Sequence, residues 1–173
     1  MDGTATGVLD EGGRGQTRPR RGKTGAAAYG RLLVLPLRPW MRFVLRFAGT
    51  FNILVGLSMI CFYHEGYKLL GVPKPEVILP VQIMGILVGL FGVGYHLVAA
   101  NPVENRHLLM LGFWSKALSS LAALYYVGLG RLPWGFAVVV FFADIVYLPP
   151  FYVIMQRLYR LAALERRARD AVR

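Results

Sequence analysis

Four long apolar runs dominate the sequence and restrict what the chain can fold into. They cover residues 43–63, 77–100, 108–128 and 134–156. Each run has the roughly 20 residues that a helix needs to cross the hydrocarbon core of a bilayer. A strand of a membrane barrel needs about half that length and alternates lipid-facing with lumen-facing residues, which none of the runs does. The sequence therefore predicts an all-α integral membrane protein, a bundle of four transmembrane helices.

The basic residues predict how this bundle is oriented. The segments before the first run and after the last run are both rich in arginine, and Lys and Arg outnumber Asp and Glu by 20 to 9. Cytoplasmic loops and ends carry an excess of Lys and Arg. We therefore expect an up-down-up-down bundle with cytoplasmic N- and C-termini, which agrees with an even number of spans. The same rule accounts for the net charge of +11, so we expect no nucleic-acid partner.

Composition divides the chain around the membrane domain at residues 43–156. Residues 1–30 are rich in Gly, Thr and Arg and have few large apolar side chains, so they predict a disordered, basic cytoplasmic tail. Residues 31–42 predict a basic interfacial segment whose arginines contact anionic lipid headgroups at the cytoplasmic face of the bilayer. Residues 157–173 predict a second basic cytoplasmic tail.

Three polar side chains lie deep inside the apolar runs. At a rise of about 1.5 Å per residue, Lys116 lies about 12 Å into the third run, Asp144 about 15 Å into the fourth, and Asn52 about 13 Å into the first. In a core about 30 Å thick, all three lie near the middle of the membrane. Charged residues at this depth are costly and usually face the interior of a bundle.

Two interpretations of this polar centre remain open. In the first, Lys116 and Asp144 form a buried ion pair that determines how the third and fourth helices meet. In the second, together with Asn52 they form a site for a ligand or a proton, because burial shifts the protonation equilibria of ionisable groups.

The second run carries a packing pattern of small residues. Gly85, Gly89 and Gly92 are spaced by four and three residues and therefore share one face of a helix. Small residues allow two membrane helices to approach closely. We expect this face to pack inside the bundle, and a homodimer contact is the alternative.

A further group of polar residues lies near the cytoplasmic end of the second run. It comprises His96, Asn101, Glu104, Arg106 and His107, which predict a polar cluster. The two histidines lack the i, i+4 spacing of a helical zinc site and flank a proline-containing turn. We therefore expect no metal site and no cofactor, and no residue stands out as catalytic.

The fourth run contains the pair Pro149-Pro150, one to two turns after Asp144. Proline has no N–H to donate and clashes with the carbonyl four residues earlier, so we expect a kink or break here. The break would release carbonyl groups in the Asp144 to Val146 region, and within a membrane these need protein groups or water as partners.

Several local motifs along residues 40–156 resemble those of small, uncharacterised four-helix bacterial membrane proteins, loosely DoxX-like. The resemblance is carried by Arg46 and Asn52, Asn101-Pro102, Gly112 to Lys116, Leu132-Pro133-Trp134, Asp144 and Pro149-Pro150-Phe151. It implies a four-helix fold in the bacterial inner membrane and carries over no assigned chemistry. The single cysteine, Cys61, leaves no thiol pair for redox chemistry within this sequence.

Two hypotheses for function follow. The first is a non-enzymatic accessory or structural membrane protein, as a homo-oligomer or as part of a larger membrane complex. The second is a small transporter or proton-linked carrier that uses Lys116 and Asp144. An integral-membrane enzyme comes third, because no nucleophile, metal cluster or phosphate-binding loop is evident.

Overall fold

The computed structural model describes residues 37–171 and is helical throughout its regular elements. The predicted tail at residues 1–30, and residues 31–36 of the predicted interfacial segment, lie outside this range. No strand occurs among the described residues. In chain order the elements are α1 (Pro39–Cys61), α2 (Tyr63–Leu70), α3 (Leu79–Ala100), α4 (Arg106–Gly128), α5 (Trp134–Ala143), a 3₁₀ turn (Ile145–Tyr147) and α6 (Leu148–Asp170).

Four segments are long and apolar enough to cross a membrane, namely α1, α3, α4 and the continuous stretch from α5 to α6. This confirms the prediction of an all-α, multi-pass membrane protein with four spans. The observed ends of the first three spans differ from the predicted ones by a few residues, whereas the helix of the fourth continues well past residue 156, to Asp170. Pro39 begins α1, four residues before the first apolar run, because proline has a fixed φ and needs no hydrogen-bond partner for its nitrogen in the first turn.

Glycines join α1 and α3 into the closest helix pair of the described structure. A Cβ atom added to Gly92 would lie 2.6 Å from the carbonyl oxygen of Gly49, and one added to Gly85 would lie 2.8 Å from that of Gly56. The two glycines are seven residues apart on each helix, or about two turns, so both face the partner helix. Gly49, the earlier glycine of α1, faces Gly92, the later glycine of α3, and Gly56 faces Gly85. The two helices therefore run antiparallel. Gly89 contributes only backbone, against Gly56, and a Cβ added to Gly89 would meet nothing within 4 Å.

Large side chains, rather than glycines, connect this pair to the rest of the bundle. Tyr95 of α3 and Phe151 of α6 are fully buried, and their rings meet edge to face with centroids 4.9 Å apart. The Tyr95 ring also covers Gly112 of α4, where a Cβ would clash with it. Leu45 and Leu109 complete the centre of the same apolar cluster. The bundle therefore has a seam of backbone contacts on one side and an aromatic core in the middle.

The fourth span is interrupted where the proline pair predicts a break. The α5 helix ends at Ala143, and the 3₁₀ turn connects it to α6. The interruption lies before the prolines, because Pro149 and Pro150 occupy the first turn of α6, where a missing N–H costs nothing.

The helix α6 continues to Asp170, whereas residues 157–173 were predicted as a basic tail. Leu158, Leu161 and Ala162 follow one another at helical spacing and are all buried. Their burial extends the apolar face of α6 beyond the last long apolar run. An ion pair between Glu165 and Arg169, one turn apart, lies within the same extension.

The glycine seam makes a matched pair of substitutions informative. Gly92→Ala introduces a Cβ in contact with backbone, so we expect it to lower the free energy of unfolding by about 1–3 kcal/mol. In Gly94→Ala, two residues along the same helix, the new Cβ meets nothing within 4 Å, so we expect no loss of stability. Unfolding in mixed micelles, followed by far-UV circular dichroism, measures both. Equal effects of the two substitutions would contradict the seam.

Candidate functional site

Lys116 is the centre of the polar site. Its side chain is buried, and its Nζ atom lies 2.6 Å from Oδ1 of Asp144, 2.9 Å from the carbonyl oxygen of Ala143 and 3.4 Å from Oδ1 of Asn52. An ammonium group has three N–H donors. Each donor of Lys116 therefore has an acceptor within the protein, and the acceptors come from the first and fourth spans.

The break in the fourth span creates one of these acceptors. In a regular α-helix the carbonyl group of Ala143 would accept a hydrogen bond from the N–H of Tyr147, four residues later. The 3₁₀ turn redirects that N–H to the carbonyl oxygen of Asp144, at 3.1 Å. The carbonyl group of Ala143 is thus available to Lys116. The break provides an acceptor for the ammonium group, and the ammonium group provides a donor for the carbonyl that the break leaves without one.

An aromatic ring adds to the environment of the ammonium group. The Nζ atom of Lys116 lies 5.3 Å from the centre of the Tyr147 ring, within the range of a cation–π interaction. Tyr147 is itself buried, in the turn that follows Asp144. Sequence reasoning missed this contact, because the tyrosine stands in an apolar run and its direction depends on the break.

The two charged partners differ in exposure. The Lys116 side chain is 7% exposed and that of Asp144 is 24% exposed. One turn after Lys116, the side chain of Ser120 is buried, and its hydroxyl oxygen has no hydrogen-bond partner among the described residues. The carboxylate is therefore the more accessible member of the pair, and a free hydroxyl lies on the same helical face as the lysine.

The residues of the predicted cytoplasmic-side cluster have contacts that lead to different helices. His96 lies 3.3 Å from the Thr50 hydroxyl of α1 through its Nε2 atom, and His107 lies 3.1 Å from the Tyr159 hydroxyl of α6 through its Nδ1 atom. Arg106 donates to the carbonyl oxygen of Val103.

The other two members of this group, Asn101 and Glu104, are exposed. Within residues 37–171, no hydrogen bond or ion pair joins any two of the five members of the group. No three His, Cys, Asp or Glu side chains in that range are grouped closely enough to hold a metal ion. The group is therefore a set of separate helix-end contacts, and each histidine joins its own helix to a neighbouring one.

The site must be interpreted from its own contacts. Family models, curated proteins and solved structures yield no match to the chain. Its function is therefore inferred from the geometry of the polar centre and from the surface of the bundle.

The ion pair predicts strong coupling between its two members. Lys116→Met and Asp144→Leu each leave one charge buried without its counter-ion, so we expect each to lower the free energy of unfolding by about 3–5 kcal/mol. The double variant removes both charges, and we expect it to recover at least half of that loss. A double-mutant cycle measured by unfolding in mixed micelles tests this expectation.

The exposed lysine of α2 provides the control for this cycle. Lys68→Met removes the same charge from the surface, where we expect a change of less than about 0.5 kcal/mol. Losses from Lys116→Met and Asp144→Leu that simply add in the double variant would show that the pair is not coupled.

Proposed function

We propose that this chain is a non-enzymatic structural or accessory component of a membrane. In this proposal the Lys116–Asp144 pair holds the bundle in one arrangement. The observation that carries the proposal is the complete matching of the three Lys116 donors by acceptors on two other segments. A substrate that required this ammonium group would have to displace an internal hydrogen bond, the shortest of which is 2.6 Å.

The energetics of buried pairs support a role in specificity. Removing two charges from water costs about as much as their attraction returns, so such a pair adds little net stability. Its main effect is to destabilise other arrangements of the helices. Any arrangement that separates Lys116 from Asp144 leaves two charges unpaired in an apolar medium. The pair would therefore determine which faces of α4 and of the fourth span meet.

We also propose the membrane orientation and location. The arginines at the start of α1 and along α6 support a cytoplasmic side for both ends of the bundle, because cytoplasmic segments carry an excess of Lys and Arg. Arg38 and Arg160 line the same pocket, which supports a common side for the two ends. The resemblance to DoxX-like proteins favours the bacterial inner membrane.

The outer surface of the bundle supports contact with lipid or with partner proteins. Large apolar side chains such as Phe43, Leu121 and Phe142 are exposed on three different spans. Within a bilayer these side chains would face acyl chains, or another copy of the chain, or a different membrane protein. An accessory role would use part of this surface.

A proton-linked carrier is the second candidate, and two observations favour it. The Asp144 side chain keeps 24% of its exposure at a helix break, and interrupted helices form the ion sites of many transporters. The unpartnered Ser120 hydroxyl, one turn from Lys116, would be available to a bound ion or molecule.

Infrared difference spectroscopy on transfer from H₂O to D₂O separates the two candidates. If the pair is structural, the protons between Lys116 and Asp144 are closed to water, and we expect the Asp144 carboxylate band to shift only slowly, as the bundle opens. Asp144→Asn in the same membrane mimetic identifies the band that belongs to this carboxyl group. A band that shifts at once in the native protein and is lost in Asp144→Asn would support the carrier and contradict the structural role.

Cysteine labelling tests the orientation. Glu76 lies between α2 and α3, Glu104 lies between α3 and α4, and both are exposed. In a Cys61→Ser background, we expect a membrane-impermeant maleimide added to intact spheroplasts to label Glu76→Cys and not Glu104→Cys. Permeabilised cells, in which both should react, provide the control. The reverse labelling pattern would place the termini outside.

A further inference from the structure

A pocket of about 420 Å³ lies between the start of α1 and the second half of the fourth span. Its volume falls in the range of small-molecule sites. Arg38 from the N-cap of α1 and Arg157 and Arg160 from α6 line it, and no acidic residue does so among the described residues. The pocket therefore concentrates three guanidinium groups, which are well suited to bind phosphate oxygens.

The start of α1 adds to this positive potential. The helix has no acidic residue in its first turn and no side chain that caps its N-terminus. The N-terminus of a helix carries a partial positive charge, and an anion nearby is stabilised. The potential of the helix and the charges of the arginines thus favour the same kind of ligand.

The depth of the pocket points to a lipid rather than a soluble anion. Counted from the polar centre at about 1.5 Å per residue, Arg38 lies about 21 Å from Asn52, and Arg160 lies about 24 Å from Asp144. The headgroup layer of a bilayer extends from about 15 Å to about 22 Å from its middle. The arginines therefore lie at the level of the lipid phosphates or just outside it.

The walls of the pocket change from polar to apolar toward the middle of the membrane. Tyr152 and Val153 line it about 12 Å from the level of Asp144, and about half of each side chain is exposed. Trp40 lines its outer part, as is typical of tryptophan at the membrane interface. This order of groups matches an amphiphile with a phosphate at one end and acyl chains at the other.

We propose that this pocket binds an anionic phospholipid, with its phosphate on Arg38, Arg157 and Arg160 and the start of its acyl chains along Tyr152 and Val153. The site would attach the junction of the first and last spans to the headgroup layer. The proposal rests on the membrane location of the chain and is independent of the role of Lys116 and Asp144.

Native mass spectrometry of the full chain in detergent tests the proposal. The probes are a short-chain phosphatidylglycerol, the phosphatidylcholine of the same chain length, and inorganic phosphate. We expect one phosphatidylglycerol to bind at least tenfold more tightly than either of the other probes. Equal binding of the two lipids would overturn the proposal, and inorganic phosphate that competes at the same concentration as phosphatidylglycerol would overturn the assignment to a lipid.

Two double variants with the same loss of charge locate the site. Arg38→Gln with Arg160→Gln removes two pocket arginines, and we expect about a tenfold loss of affinity for phosphatidylglycerol. Arg166→Gln with Arg167→Gln removes two exposed arginines from the same helix outside the pocket, and we expect less than a twofold loss. Arg160, Arg166 and Arg167 all lie within α6. Circular dichroism of each variant checks that its helices are retained. Equal losses in the two variants would show general charge attraction and overturn the site.

Fluorescence quenching gives an independent position for the lipid. In a Trp114→Phe, Trp134→Phe background, Trp40 is the one remaining tryptophan. Brominated phosphatidylglycerol at low mole fraction in phosphatidylcholine nanodiscs should quench Trp40 more strongly than brominated phosphatidylcholine does, and Arg38→Gln with Arg160→Gln should abolish the difference. Equal quenching by the two lipids would contradict a specific site.

Discussion

The need of one buried ammonium group for three acceptors connects most features of this bundle. Lys116 lies among apolar helices, where an unpaired charge would be very costly, and a carboxylate, a main-chain carbonyl and an amide surround it. The carbonyl is available only because the fourth span leaves regular α-helical geometry at this level. The lysine without the break would have one unpaired N–H donor, and the break without the lysine would have one unpaired carbonyl. The surrounding apolar medium supplies a partner for neither.

The bundle combines two kinds of packing on its two sides. The first and second spans meet through glycines, so backbone touches backbone and few side-chain rotamers need to be ordered. The third and fourth spans meet this pair through long side chains. Phe151 of the fourth span packs on Tyr95 of the second, and Lys116 of the third reaches Asn52 of the first. Small residues thus allow the closest approach of two helices, that of α1 and α3. Large or charged side chains fill the wider spaces between the other helices.

Much of this arrangement could be predicted from the sequence. The remaining contacts depend on how each helix is rotated about its own axis, which the sequence does not show. Run length predicts four spans, and counting along each run places Lys116, Asp144 and Asn52 at one level, where the structure brings them into contact. The acceptor at Ala143 could not be predicted, because a proline pair locates a break only to within a turn or so. The partner glycines of α1 were missed, although Gly49 and Gly56 repeat the seven-residue spacing of Gly85 and Gly92.

The end of α6 shows what composition alone does not predict. The many arginines after residue 156 predict a basic cytoplasmic tail, and the periodic burial of Leu158, Leu161 and Ala162 shows that the start of this segment is also helical and packed. A segment can be basic overall and still bury one face, because arginine side chains extend away from the helix. Periodicity was the more informative signal there.

The 3₁₀ turn at Ile145–Tyr147 also has a mechanical consequence. The glycine-joined helices α1 and α3 have little freedom to slide, since any displacement drives backbone into backbone. The fourth span is divided into two helices joined by the four residues 144–147, which make fewer α-helical hydrogen bonds. We therefore expect bending of the bundle to occur mainly at these residues, where the angle between α5 and α6 can change. The first two spans would keep their relative position during this bending.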